Sequence, residues 1–140
     1  MKNIHEVNIQ ELSNGVKLIH VFIPNFPVAI SSFWSKVGSR NDHRGKEGTA
    51  HIFEHLLLTK TKDFPDRQKR LIEIEKRGFL YDAFTSLETS HYFYVHSNDR
   101  LDKAIDFLID GYTSSIFEKE DLEKEKQVII DEERRNYNDP

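Results

Sequence analysis

The chain has 140 residues, enough for one domain with a core of its own. A net charge of −4 argues against nucleic acid as a partner, and the absence of cysteine removes disulfides and thiolate metal sites, leaving His, Asp and Glu as the strong ligands. No apolar run is long enough to span a bilayer, and the opening MKNIHEVNIQELSNG has neither the apolar core of a secretory signal nor an Arg- and Ser-rich leader, so a cytoplasmic protein with no membrane partner is expected.

Val7 to Leu12 and Val16 to Ile23 read as strands, joined by Ser13-Asn14-Gly15, whose Asn-Gly pair is a hairpin signal. After the connector Pro24 to Pro27, the run Val28 to Val37 predicts a long strand with Ile30, Phe33 and Val37 facing the core. The polar stretch Gly38 to Glu47 leads into a helix over Gly48 to Lys60, with Thr49 as its expected N-cap. Pro65 is expected to open a second helix that runs to Arg77, with Gly78 as its C-terminal cap. Phe79 to Ser86 and Glu88 to Ser97 are rich in aromatic and β-branched residues and predict neighbouring antiparallel strands. Asn98 or Asp99 is expected to cap a third helix over Arg100 to Ser114, and a fourth follows over Lys119 to Asn136. With no repeat, low-complexity tract or flexible linker, this order predicts a single α+β domain over residues 1–140, a largely antiparallel sheet with helices packed on one face.

The chemistry concentrates in GTAHIFEHLLLTK, Gly48 to Lys60. His51 and His55 stand four apart, so on a helix both imidazoles reach one metal ion, and Glu54 lies beside them. Ile52, Phe53, Leu56, Leu57 and Leu58 make the segment apolar nearly all round, which predicts a buried helix whose polar residues need partners. Two neutral imidazoles suit Zn2+, which lowers the pKa of water to about 7 and lets Glu54 act as general base. Manganese or cobalt would also accept such donors. This H-x-x-E-H order is the inverted form of the common zinc-peptidase helix.

A catalytic zinc takes three protein ligands, and the first motif supplies two. In the last helix Glu125, Val128, Ile129 and Glu132 form one stripe. The two aliphatic residues are expected to face the core and to carry both carboxylates inward. Glu132 is therefore the candidate third ligand and Glu125 its supporting partner. Asp131 and Glu133 compete, each rotated off the stripe by about 100°. The plainer alternative is a solvated, salt-bridged helix, since KEDLEKEKQVIIDEERR is dense in charge.

GTAHIFEHLLL, FLYDAFTSLETSHYFYV and EKEKQVIIDEERRNYNDP together resemble the pitrilysin family of zinc metallopeptidases, the family of insulin-degrading enzyme and the mitochondrial processing peptidases. The resemblance runs from the strand around Phe33-Trp34 to the end of the chain. It implies zinc ligands at His51, His55 and Glu132, a catalytic Glu54, and Glu125 as the second acidic residue that supports the site. It also implies an extended peptide substrate paired to the edge strand carrying Asp82, Ala83, Phe84 and Thr85, with Asp82 where the family usually has Asn. Relatives continue into further domains, one of which supplies an Arg and a Tyr that nothing in this chain matches. The resemblance therefore implies the N-terminal part of a longer chain or assembly, C-terminally incomplete, with apolar surface left for self-association or for a complementary domain or subunit that completes the cleft.

These readings predict a zinc metalloendopeptidase acting on peptides or small unfolded proteins, weak or inactive as the 140-residue chain alone. The alternative is a non-catalytic peptide-binding or assembly subunit of a two-part processing peptidase. A purely structural zinc module fits poorly, because such sites are closed by four ligands and favour cysteine.

Overall fold

The structure, a computed structural model, describes residues 6–138; Asp139 and Pro140, the end of the third motif, lie outside them. Strands β1 (Glu6–Glu11) and β2 (Lys17–Phe22) form a hairpin. Gly15 turns it with φ 83°, and Asn14 Oδ1 accepts from Val16 N at 3.1 Å, the local bonding that makes Asn-Gly a turn signal. The hairpin is a separate two-stranded sheet, exposed along both strands.

The second sheet has three antiparallel strands in the order β3-β5-β4: β3 (Val28–Ser35), β4 (Leu80–Thr85) and β5 (Ser90–Ser97). The helices are α1 (Thr49–Leu56), α2 (Arg67–Lys76), α3 (Leu101–Ser114) and α4 (Lys119–Asn138). Helix α3 lies on β3 and β5, α1 lies beside β4, and α1 packs on α4. The core is Leu57, Leu58, Ile74, Phe79, Tyr92, Tyr94, Ala104, Phe107 and Leu108. This is an α+β fold with helices on one face of an antiparallel sheet, although the first hairpin stands apart from the main sheet. No helix among the described residues is long and apolar enough to cross a membrane.

Several local expectations need correction. Ile30 is exposed because Ala29, Ser31, Phe33 and Ser35 turn inward and residues of opposite parity on one strand cannot share a face; Val37, also exposed, lies beyond the end of β3 at Ser35. Gly48, with φ 87°, is the N-cap of α1 in place of Thr49. Asp42 bonds the first turn instead, accepting from Gly48 N at 2.8 Å and Ala50 N at 2.9 Å. Helix α1 stops at Leu56, short of Lys60, because Leu57 turns extended (ψ 145°) and Leu58 then takes φ 66°. The Leu58 carbonyl accepts from Arg70 Nε at 2.7 Å, which ties the chain down in that turn. Nor is α1 buried all round: Phe53 is exposed and stacks on Phe117. Pro65 precedes α2, whose cap is Asp66, bonded to Gln68 N and Lys69 N. Neither Asn98 nor Asp99 caps α3; both belong to a short 3-10 turn ahead of it.

Arg70 is fully buried, a position its charge did not predict. It donates to Leu58 O, Thr61 Oγ1, Phe107 O and Asp110 Oδ2, and its guanidinium lies 5.1 Å from the Phe107 ring centroid. Four acceptors and an aromatic face compensate the loss of water, and they tie the segment after α1 to α2 and α3.

Candidate metal centre and peptide edge

Helix pitch puts His51 and His55 on successive turns of α1, and the crossing of α4 brings Glu132 to both. His51 Nε2 lies 3.2 Å from His55 Nε2, and Glu132 Oε2 lies 3.5 Å from each. In a tetrahedral site with bonds of about 2.0–2.1 Å, ligand atoms stand about 3.3 Å apart. The triangle matches that spacing, and its two nitrogens and one carboxylate oxygen suit zinc. Among the described residues these three form the one group able to hold a metal ion.

The other nitrogen of His55 is also engaged. Nδ1 donates to Glu125 Oε2 at 2.9 Å, which leaves Nε2 bare and turned toward the triangle. The second oxygen of Glu125 accepts from Arg67 Nη1 at 2.6 Å. Burial pushes the Glu125 carboxyl up, but the hydrogen bonds from His55 and Arg67 and the charge of Arg67 outweigh it and hold the pKa below the ordinary value.

The stripe argument for α4 holds for Glu125, Ile129 and Glu132 but not for Val128, which is exposed at the stripe's edge. Asp131 faces solvent and pairs with Arg134 at 3.4 Å. Glu133 is exposed at the mouth of the cleft. Two contributors were not visible in the sequence, Arg67 behind Glu125 and Asp42 at the start of α1. Their partners lie on other elements or across a loop, where no local periodicity reaches.

An open cleft of about 960 Å³ joins the triangle to β4. His51, Glu54, His55 and Glu132 line it together with Ala83, Phe84 and Thr85; Asp82 does not line it. The backbone of β4 is positioned for pairing. Ser86 N donates to Thr89 O at 2.8 Å, which closes the turn between β4 and β5 as a hydrogen-bonded pair. Bonded and non-bonded pairs alternate along an antiparallel ladder. In this register Phe84 and Asp82 therefore bond to β5, while Tyr81, Ala83 and Thr85 turn their N–H and C=O groups outward. No strand among the described residues pairs with that side.

The loop between β3 and α1 is fastened to the same turn. Ser39 N donates to Ser86 O at 3.0 Å and Arg40 N to Leu87 O at 2.9 Å. Gly38 passes so close that a Cβ there would meet Ser86 O at 2.4 Å. This close approach and the Asp42 cap set the position of α1 relative to β4.

A family model described as Insulinase (Peptidase family M16) matches residues 23–140. The chain is 34% identical over 122 residues to mitochondrial-processing peptidase subunit beta of Saccharomyces cerevisiae, covering 87% of this chain and 26% of that one. It is 30% identical over 133 residues to an uncharacterized zinc protease of Rickettsia felis, covering 95% of this chain and 32% of the relative. The crystal structure of a protease from Helicobacter pylori matches with a TM-score of 0.83 at 28% identity, covering 93% of this chain and 31% of that one. The chain thus spans about a quarter to a third of the length of these relatives. On the match over residues 23–140, the chain belongs to the insulinase family of peptidases, family M16.

Proposed function

We propose that this chain carries the metal-binding half of a zinc-dependent endopeptidase that cleaves extended peptides. The observation that carries the reading is the triangle of His51 Nε2, His55 Nε2 and Glu132 Oε2, with sides of 3.2 to 3.5 Å, opening into the same cleft as the outward edge of β4. His51, His55 and Glu132 would hold the ion, and zinc would supply Lewis-acid polarisation of the scissile carbonyl. Glu54 accepts a proton from the attacking water on its carboxylate and returns it to the departing amine nitrogen. Glu125 keeps the proton of His55 on Nδ1 and fixes the ring. The outward N–H and C=O groups of Tyr81, Ala83 and Thr85 pair with the peptide main chain, so the enzyme reads extended backbone more than side chains. Relatives named as zinc proteases support the metal and the reaction class.

The uncovered face of the main sheet, with Leu80 73% and Ile30 64% exposed, supports a complementary domain or subunit as partner; one relative is itself named as a subunit. Metal analysis of the purified chain beside Glu132→Gln tests the site. About one zinc per chain is expected, with a clear loss in the variant. Peptide hydrolysis that disappears in Glu54→Gln supports the enzyme. Zinc and peptide binding with no hydrolysis by the chain, alone or with its partner, would favour the non-catalytic subunit.

A further inference from the structure

One of the three outward donors of β4 already has an acceptor. Ala83 N donates to Asp82 Oδ1 at 2.8 Å. Asp82 is exposed, and its carboxylate sits over the edge position where a paired peptide would set a carbonyl oxygen. Two acceptors cannot share that hydrogen well, and a carboxylate beside a carbonyl oxygen is repulsive. The carboxylate therefore has to leave when a peptide pairs, and it leaves as an unpaired charge beside the outer edge of β4. A Lys or Arg side chain on the peptide would take it up; a Glu or Asp would oppose it.

Resting on the reading of β4 as the peptide-pairing edge, we infer that Asp82 is a specificity-determining residue, whose carboxylate caps Ala83 N–H in the free protein and selects peptides that bring a cationic side chain alongside β4. Asp82 slows the entry of neutral strands and favours basic ones. It touches substrate and takes no part in the bond-breaking step.

The test is peptide binding to the full chain in a Glu54→Gln background, so that nothing turns over. A series of extended peptides carries Arg, norleucine or Glu at each position in turn, and a second series carries N-methyl groups on successive amides. One peptide position should rank Arg tighter than norleucine and norleucine tighter than Glu, each step about two- to fivefold, the range of an exposed ion pair. Asp82→Asn should erase that ranking. Asp82→Ala should also tighten the norleucine peptide by a similar factor, because the cap is gone. Period-two sensitivity to N-methylation, with a ranking unmoved in both variants, would overturn the role of Asp82 and leave the edge reading standing. Indifference to N-methylation, or no binding of any peptide, would overturn both.

Discussion

Strand β5 carries two buried histidines on opposite faces of the sheet, and their surroundings could hardly differ more. His96, on the face covered by helices, accepts from Ser31 Oγ at Nε2 (2.9 Å) and donates from Nδ1 to Ser97 O (2.7 Å). His91, on the open face, stacks between Trp34 at 3.8 Å and Phe93 at 5.0 Å, and both its ring nitrogens are buried with no partner. The faces differ in the same way. Tyr92 and Tyr94 are essentially sealed, whereas Leu80, Ile30 and Trp34 are more than half exposed. Apolar residues line both sides, so composition does not set burial here; it is set by where α1 and α3 lie. The His96 ring is matched to partners on the covered face, although the Tyr92 and Tyr94 hydroxyls beside it are buried without one, while the His91 ring on the open face is merely shielded by aromatic rings.

This contrast can be broken from the covered side first. Arg70→Ala leaves the Asp110 carboxylate and the Leu58 and Phe107 carbonyls without their donor. It should cost about 3–5 kcal/mol in denaturant unfolding. Leu80→Ser on the open face should change stability by no more than about 0.5 kcal/mol. A larger loss from Leu80→Ser would show that this face is covered in solution, and sedimentation of the two proteins would then separate.

Gly38→Ala probes the junction shared by both faces. The added carbon meets backbone atoms of Ser86, Leu87 and Glu88 at 2.4 to 2.6 Å, so β3 or the β4–β5 turn must shift. A loss of about 1–3 kcal/mol is expected, together with weaker zinc retention, because the same segment leads to α1.

The smallest effect sharpens the comparison of the two histidines. Burial pushes the His91 pKa below its ordinary value of 6.5. In the unfolded chain the ring protonates near 6.5, and in the folded chain only at lower pH. The unfolded state thus takes up the proton first, and stability falls as pH drops below 6.5 toward the folded pKa. His91→Phe should flatten that part of the stability profile relative to the parent. Equal slopes in the two proteins would mean that His91 finds a proton acceptor.

Much of the site was legible because its spacing is local. Four residues of helix separate His51 from His55 whatever the fold, and the stripe through Glu125, Ile129 and Glu132 follows from helical pitch alone. The Asn14-Gly15 turn, the Gly78 cap and the strand character of Ser90 to Ser97 were readable for the same reason. Errors arose wherever a distant group made the choice. Thr49 looked like a cap, but Asp42 reaches the helix from across the loop. The apolar run through Leu58 looked helical, but Arg70 holds the Leu58 carbonyl in a turn. Ile30 and Val128 looked like core, but nothing among the described residues covers them.

The sequence by itself determined which side chains could serve as donors and how they are spaced along each helix or strand, because backbone geometry is the same in every fold. Only the tertiary structure decided that Glu132, 77 residues beyond His55 (132 − 55), closes the triangle, that Arg67 stands behind Glu125, and that the free edge of β4 opens into the same cleft as the triangle. Those relations depend on how α1, α4 and β4 pack against one another. Packing is settled by complementary surfaces of elements far apart in the chain, and no residue carries that information alone.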